Sequence, residues 1–219
     1  MDAHDHHSVR QQAAWFMVAG AATAVAGAVL LFGLQPSTDL SDDMWRYPWE
    51  SSGAFSAFSL FSAALHVVVA VGIVAFGRSG VAGRSRAATG GVALAVAGTS
   101  LLLVGELASI PIRNAETSDT SAGIVGGVFG LGGILSAVGF LLLGWATVRA
   151  RVWHDWRRFT PLATGLSLIV MAVVTAPFPT ALHGMVGVYG LCLLGMAAAL
   201  YTAPTPKTAM SASEQHLQR

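Results

Sequence analysis

Three ionisable side chains interrupt the long apolar stretches of this sequence: His66, Glu106 and His183. An ionisable group inside a lipid-embedded segment is costly, so its presence there points to a proton site, a ligand site or a paired structural contact. Glu106 is the principal candidate for a proton or a ligand. Pro111, five residues on, cannot donate to the carbonyl of Leu107, so the sequence predicts a kinked helix beside the acid. Thr99, Glu106 and Arg113 recur at intervals of seven and are expected on one helix face. Ser59, Ser62 and His66 follow the i, i+3, i+7 pattern and form a second polar stripe that can line a small cavity with Glu106. For both stripes the structural alternative is hydrogen bonding within the bundle without ligand chemistry.

Depth selects among pairings. With each span's midpoint at the bilayer centre, His66 falls near the midplane, Glu106 about 8 Å toward the outside and His183 about 12 Å toward the outside. Glu106 and His183 then differ by only about 4 Å in height and are expected to pair if the third and sixth spans are neighbours. The offset between His66 and His183 opposes a haem held by two histidines, whose axial ligands meet one iron at similar depth. No cofactor or metal signature is present in the spans. Asp2, His4, Asp5, His6 and His7 make a short terminal cluster able to ligate a transition metal, in a segment read as a polar tail.

These residues need a framework, and composition supplies it. Of 219 residues, 54% are hydrophobic and 11% charged, and the 25 glycines raise the apolar share further. A soluble domain carries about 25% charged residues. A cytosolic enzyme, a nucleic-acid-binding module and a disordered chain are thereby excluded, leaving an all-α integral membrane bundle with no nucleic-acid partner. Six apolar runs of spanning length occur, at approximately Gln12–Leu34, Ala54–Gly77, Gly90–Ile112, Ala122–Val148, Pro161–Phe178 and Thr180–Thr202. They define a transmembrane domain over 12–202, flanked by a polar tail at 1–11 and a disordered tail at 203–219. Helices are required because lipid offers backbone groups no partner, and the period-two alternation of barrel strands is missing. The first run is too long for the apolar core of a signal peptide and is read as a retained span. Three spans lie on each side of the 113–121 connection, as in inverted repeats. The clearest internal match, Ala24–Gly27 with Ala95–Gly98, instead relates spans one and three.

Arginine sets orientation. The connections after spans two and four carry Arg78, Arg84 and Arg86, then Arg149, Arg151, Arg157 and Arg158. The other two long connections carry Arg46 and Arg113 among Asp39, Asp42, Asp43, Glu50, Glu116 and Asp119. The positive-inside rule puts the arginine-rich loops and both termini in the cytoplasm. The Arg149 to Arg158 segment, with Trp153 and Trp156, suits anionic lipid. Trp45, Tyr47 and Trp49 suit an outer headgroup layer or a lid over an outward cavity. In the fourth span, Gly123 with Gly127 and Gly126 with Gly130 have the small-xxx-small spacing of close helix contacts, either within the chain or with a protein partner or second copy. Cys192, the single cysteine, has no intrachain disulfide partner.

The stretches Gly105–Arg113 (GELASIPIR) and Arg157–Gly165 (RRFTPLATG), within a six-span chain of this length, resemble actinobacterial six-span integral membrane proteins of unknown function. The resemblance implies six helices in a bacterial cytoplasmic membrane and brings no activity or residue roles. The reading adopted from sequence is a non-enzymatic multi-pass protein, a subunit or accessory of a membrane assembly. The alternative is a small transporter or ligand-binding protein with an outward polar cavity around Glu106. A lipid-modifying enzyme is disfavoured because neither face gathers an acid, base or metal set.

Overall fold

A computed structural model describes residues 3–202, with side chains from residue 13. Six long helices carry the fold: α1 Ala3–Val29, α2 Ser52–Arg78, α3 Arg86–Ser109, α4 Thr120–Ala150, α5 Thr160–Thr175 and α6 Leu182–Tyr201. All six, α1 together with its short extension to Ser37, are long and apolar enough to cross a membrane. Among the described residues there is no strand, only one isolated bridge between Met44 and Glu116. The backbone of α1 begins at Ala3, so part of the segment read as an N-terminal tail is helical. The side chains of the His4–His7 cluster, Arg10, and residues 203–219 with Lys207 lie outside the described set.

Local chemistry fixes the ends. The Oγ atoms of Ser51 and Ser85 accept from the amides of Ala54 and Ala88 and start α2 and α3. Pro161 sits in the first turn of α5, where its missing N–H costs nothing. Pro111 does not kink α3 but ends it: the helix closes at Ser109, and the amide of Ile110 bonds back to Leu107. Without a donor at position 111 the carbonyl ladder stops, and Arg113 falls in the connection rather than on the face of Thr99 and Glu106.

The helices form a closed ring in chain order, each beside the next, with α6 returning to α1; α3 and α6 do not touch. Two seams are far tighter than the rest, and glycine makes both. In α1, Gly20 and Gly27 are so close to α6 that a Cβ on Gly27 would lie 2.6 Å from the Cα of Gly187. In α3, a Cβ on Gly98 would lie 2.6 Å from the carbonyl oxygen of Gly132 in α4, and one on Gly139 would lie 2.7 Å from the Cα of Ala95. The weak internal match between spans one and three thereby gains a physical meaning. Residues 20–27 (GAATAVAG) and 91–98 (GVALAVAG) share six of eight residues, and each presents glycines seven apart to an antiparallel neighbour.

The packed core occupies one half of the ring. Phe16, Ile73, Phe76, Phe140, Leu143, Leu193, Met196 and Leu200 are fully buried and belong to the end that carries the arginine-rich connections, where buried Trp153 meets Phe76 edge-on. Toward the opposite, acidic end the filling thins, and no residue from 169 to 188 is buried. The candidate polar residues stand in this thinner half.

Candidate functional site

His66 and Glu106 come together. The Nε2 of His66 lies 3.9 Å from Oε1 of Glu106, and each side chain is 18% exposed. Both sit on the faces of α2 and α3 that hold the buried residues, His66 in register with Ile73 and Glu106 in register with Thr99. The contact corrects the depth estimate that pairs Glu106 with His183. Gly77 of α2 packs against Val92 of α3. Counting from that contact, His66 is eleven residues and Glu106 fourteen residues toward the acidic end, a height difference of about 4.5 Å that the two side chains span. Equal centring of spans fails here because α2 and α3 differ in length and are staggered, a property of the seam rather than of either helix.

His183 is elsewhere. It opens α6, its Nδ1 lies 3.2 Å from Oε1 of Gln35, and its ring centroid is 6.1 Å from that of Tyr47. Gln35 reaches it because α1 widens at Leu30–Leu34 into a turn in which the amide of Gln35 bonds to the carbonyl of Leu30, five residues back, before Pro36 tightens the next turn. Wide turns of this kind carry no sequence signature, so Gln35 is not legible as a partner from sequence. Ser62 is half-buried and Ser59 buried on α2, one and two turns respectively beyond His66 toward the acidic end.

Below the pair, two hydroxyls lack partners. Thr99 Oγ1 and Ser136 Oγ are buried and make no hydrogen bond, whereas Thr147, Thr164 and Ser167 bond to their own helices. Ser136 lies against Gly98 in the α3/α4 seam, and Thr99 follows Gly98 on α3, seven residues from Glu106. Beyond them toward the arginine end, the described residues of the spans are mainly packed apolar core, and Thr147, Thr164 and Ser167 bond to their own helices.

The two connections at the acidic end form a cap. Trp45 N–H donates to the carbonyl of Ala115 and Thr117 N–H to that of Asp43, which stitches residues 43–45 to 115–117. Arg46 Nη1 donates to Oδ1 of Asn114 and to Oγ of Ser52, and Ser52 Oγ lies 3.0 Å from the same Asn114 oxygen. The three aromatic residues fan out: Trp45 over Gly126 of α4, Tyr47 toward His183 of α6 and Trp49 onto Phe58 of α2. The interfacial anchor expected from sequence is also a clamp across the ring.

Gly123, Gly127 and Gly130 face open space, with nothing within 4 Å of an added Cβ, and Gly126 meets only Trp45. The glycines that pack α4 within the chain are Gly132, Gly139 and Gly144 instead. Among the described residues no group of three or more His, Cys, Asp or Glu side chains is arranged to hold a metal ion.

No family model, curated protein or solved structure matches the chain, and the chemistry open to the site is therefore read from its own geometry. A carboxyl and an imidazole 3.9 Å apart stand beyond direct hydrogen bonding and leave room for a bridging water or for a polar or cationic ligand held by both.

Proposed function

We propose that this chain is a small ligand-binding or transport protein of a bacterial cytoplasmic membrane whose site is the His66–Glu106 pair. The observation that carries it is the meeting of these two groups at 3.9 Å on inward faces of adjacent apolar helices, each still partly exposed. That part exposure leaves polar atoms of both groups free to meet a ligand. The positive-inside rule supports an orientation with the cap outside and the termini inside, so that the pair lies in the outer half of the bundle and the packed core closes the inner half. Seven arginines in the two inner connections, with Arg149 stacked on Trp145 at 4.9 Å and Arg158 on Phe159 at 4.7 Å, favour anionic lipid there. No step of bond making is assigned, and the chain is read as a binder rather than an enzyme.

A second reading has its own observation. The unpartnered glycines of α4 suit a neighbouring helix, as in a subunit or accessory of a larger assembly. Native mass spectrometry of the protein released from its own membrane in mild detergent separates the two. The expected result is a protomer or homo-oligomer that retains a small molecule, lost in Glu106→Gln and in His66→Ala. A ligand-free wild type, or a small molecule held equally by both variants, overturns the site. A reproducible second polypeptide in its place favours the subunit reading.

A further inference from the structure

Between α1 and α2, in the half nearer the cap, lies a lateral groove of about 450 Å³ with an almost wholly apolar lining. Ala22, Val25 and Val29 form one wall, and Trp49, Phe58 and Phe61 the other. The volume is within the range of small-molecule sites, about 300–1,000 Å³. The three rings make a continuous cluster, with centroids 5.0 Å apart for Trp49 and Phe58 and 6.4 Å apart for Phe58 and Phe61.

Three observations choose the occupant. Aromatic faces attract cations, most strongly where water is excluded. The connections at this end carry six carboxylates, Asp39, Asp42, Asp43, Glu50, Glu116 and Asp119, against two arginines, Arg46 and Arg113, a formal excess of four negative charges. Phe58, Ser62 and His66 succeed one another at intervals of four on α2, and such a row drifts round the helix by about 40° per step. It leads from the groove wall to the inward face, where Glu106 is the carboxylate that meets His66. An apolar body, an aromatic seat for positive charge, an acidic approach and a carboxylate at the end of the row are complementary to one chemical class.

We propose that the α1/α2 groove binds a lipophilic organic cation, admitted from the side, and that this is the ligand class of the site. The inference deepens the function proposed for the chain and rests on His66 and Glu106 being that site. No other titratable side chain on the described portions of α1 or α4 stands at this level; the nearest on α4, Arg149, is at the far end.

The test is equilibrium binding to the purified full chain in detergent, using tetraphenylphosphonium and the similarly shaped anion tetraphenylborate. The cation is expected to bind at least about tenfold more tightly than the anion, and Phe58→Leu and Trp49→Leu are each expected to weaken it by about tenfold, while Phe58→Tyr, which keeps the ring, retains it. Equal affinity for the two ions, or a Phe58→Leu protein that binds the cation as wild type does, overturns the proposal. Circular dichroism of each variant identifies a loss caused by misfolding, and Phe58→Tyr then decides. The two levels fail separately. Selective cation binding that is unchanged in Glu106→Gln upholds the groove and removes the pair from the site. A co-purified molecule lost in Glu106→Gln, without selectivity for the cation, upholds the pair and removes the groove.

Discussion

Gly98→Ala tests the seam that holds the site helix in place. A Cβ at position 98 would lie 2.5 Å from Ser136 Oγ and 2.6 Å from the carbonyl oxygen of Gly132, where ordinary contact begins near 3.4 Å. Gly132 contributes backbone, which cannot rotate aside, so α3 and α4 must part by nearly 1 Å. Overpacking of this kind costs about 1–3 kcal/mol. The alanine also gains up to about 1 kcal/mol in helix propensity, which would obscure a single measurement. Gly127→Ala supplies the reference: it lies on the partner helix of the same seam, brings the same propensity gain and meets nothing within 4 Å. The propensity term cancels in the difference, so Gly98→Ala should be the less stable by about 1–3 kcal/mol, and at about 2–4 °C per kcal/mol it should melt several degrees lower. Thermal unfolding in one detergent, read by size-exclusion of the soluble fraction, measures the gap. Equal melting of the two proteins would refute the seam, and a lower value for Gly127→Ala would put a partner on the face that is open in the monomer.

The remaining expectations concern polar groups and topology. Glu106→Gln keeps a hydrogen-bonding group beside His66 and should cost under about 1 kcal/mol in thermal unfolding, whereas Glu106→Leu strands the imidazole and should cost about 1–3 kcal/mol; similar values for both would show that the contact contributes nothing to stability. Thr99→Val and Ser136→Ala remove hydroxyls that have no partner, so each should be neutral or stabilising, and a loss above about 1 kcal/mol would reveal a bound water or ligand. Arg46→Ala should free the cap: protease cleavage within residues 38–51 should accelerate while the melting temperature of the bundle holds, and unchanged cleavage would show that the Asn114 and Ser52 contacts do not restrain it. With Cys192→Ser as background, Asp42→Cys should react with a membrane-impermeant maleimide on intact cells and Arg84→Cys only after permeabilisation; the reverse pattern would invert the orientation.

The six helices are legible in the sequence because apolar length is written locally, and each expected span overlaps the helix found. The site residues are legible too, since any ionisable side chain in such a span stands out. Their partners are not. The pairing of Glu106 depends on the stagger of α2 against α3, which Gly77 and Val92 set, and that contact leaves no mark on either helix alone. Pro111 marks a disruption, but whether a proline bends or ends a helix is decided by the residues C-terminal to it, and here they turn into the cap. Spacing alone cannot tell a glycine face that packs from one that is bare. In α4 the packing set includes Gly132 and Gly139, seven apart, while the four-residue spacings fall on the open face.

The α1/α6 seam joins the two helices farthest apart in sequence among the described residues. During synthesis the α3 and α4 hairpin can zip as soon as both helices have entered the membrane, because its partners are separated by one short connection. Gly20 and Gly27 must wait until α6 emerges, some 155 residues later, about 8–30 s at ordinary elongation rates. Until then α1 presents a bare small-residue surface to whatever else is in the bilayer. Ring closure must therefore follow the emergence of α6, and a chain interrupted before Leu182 would hold a finished α3/α4 unit beside an α1 with no mate.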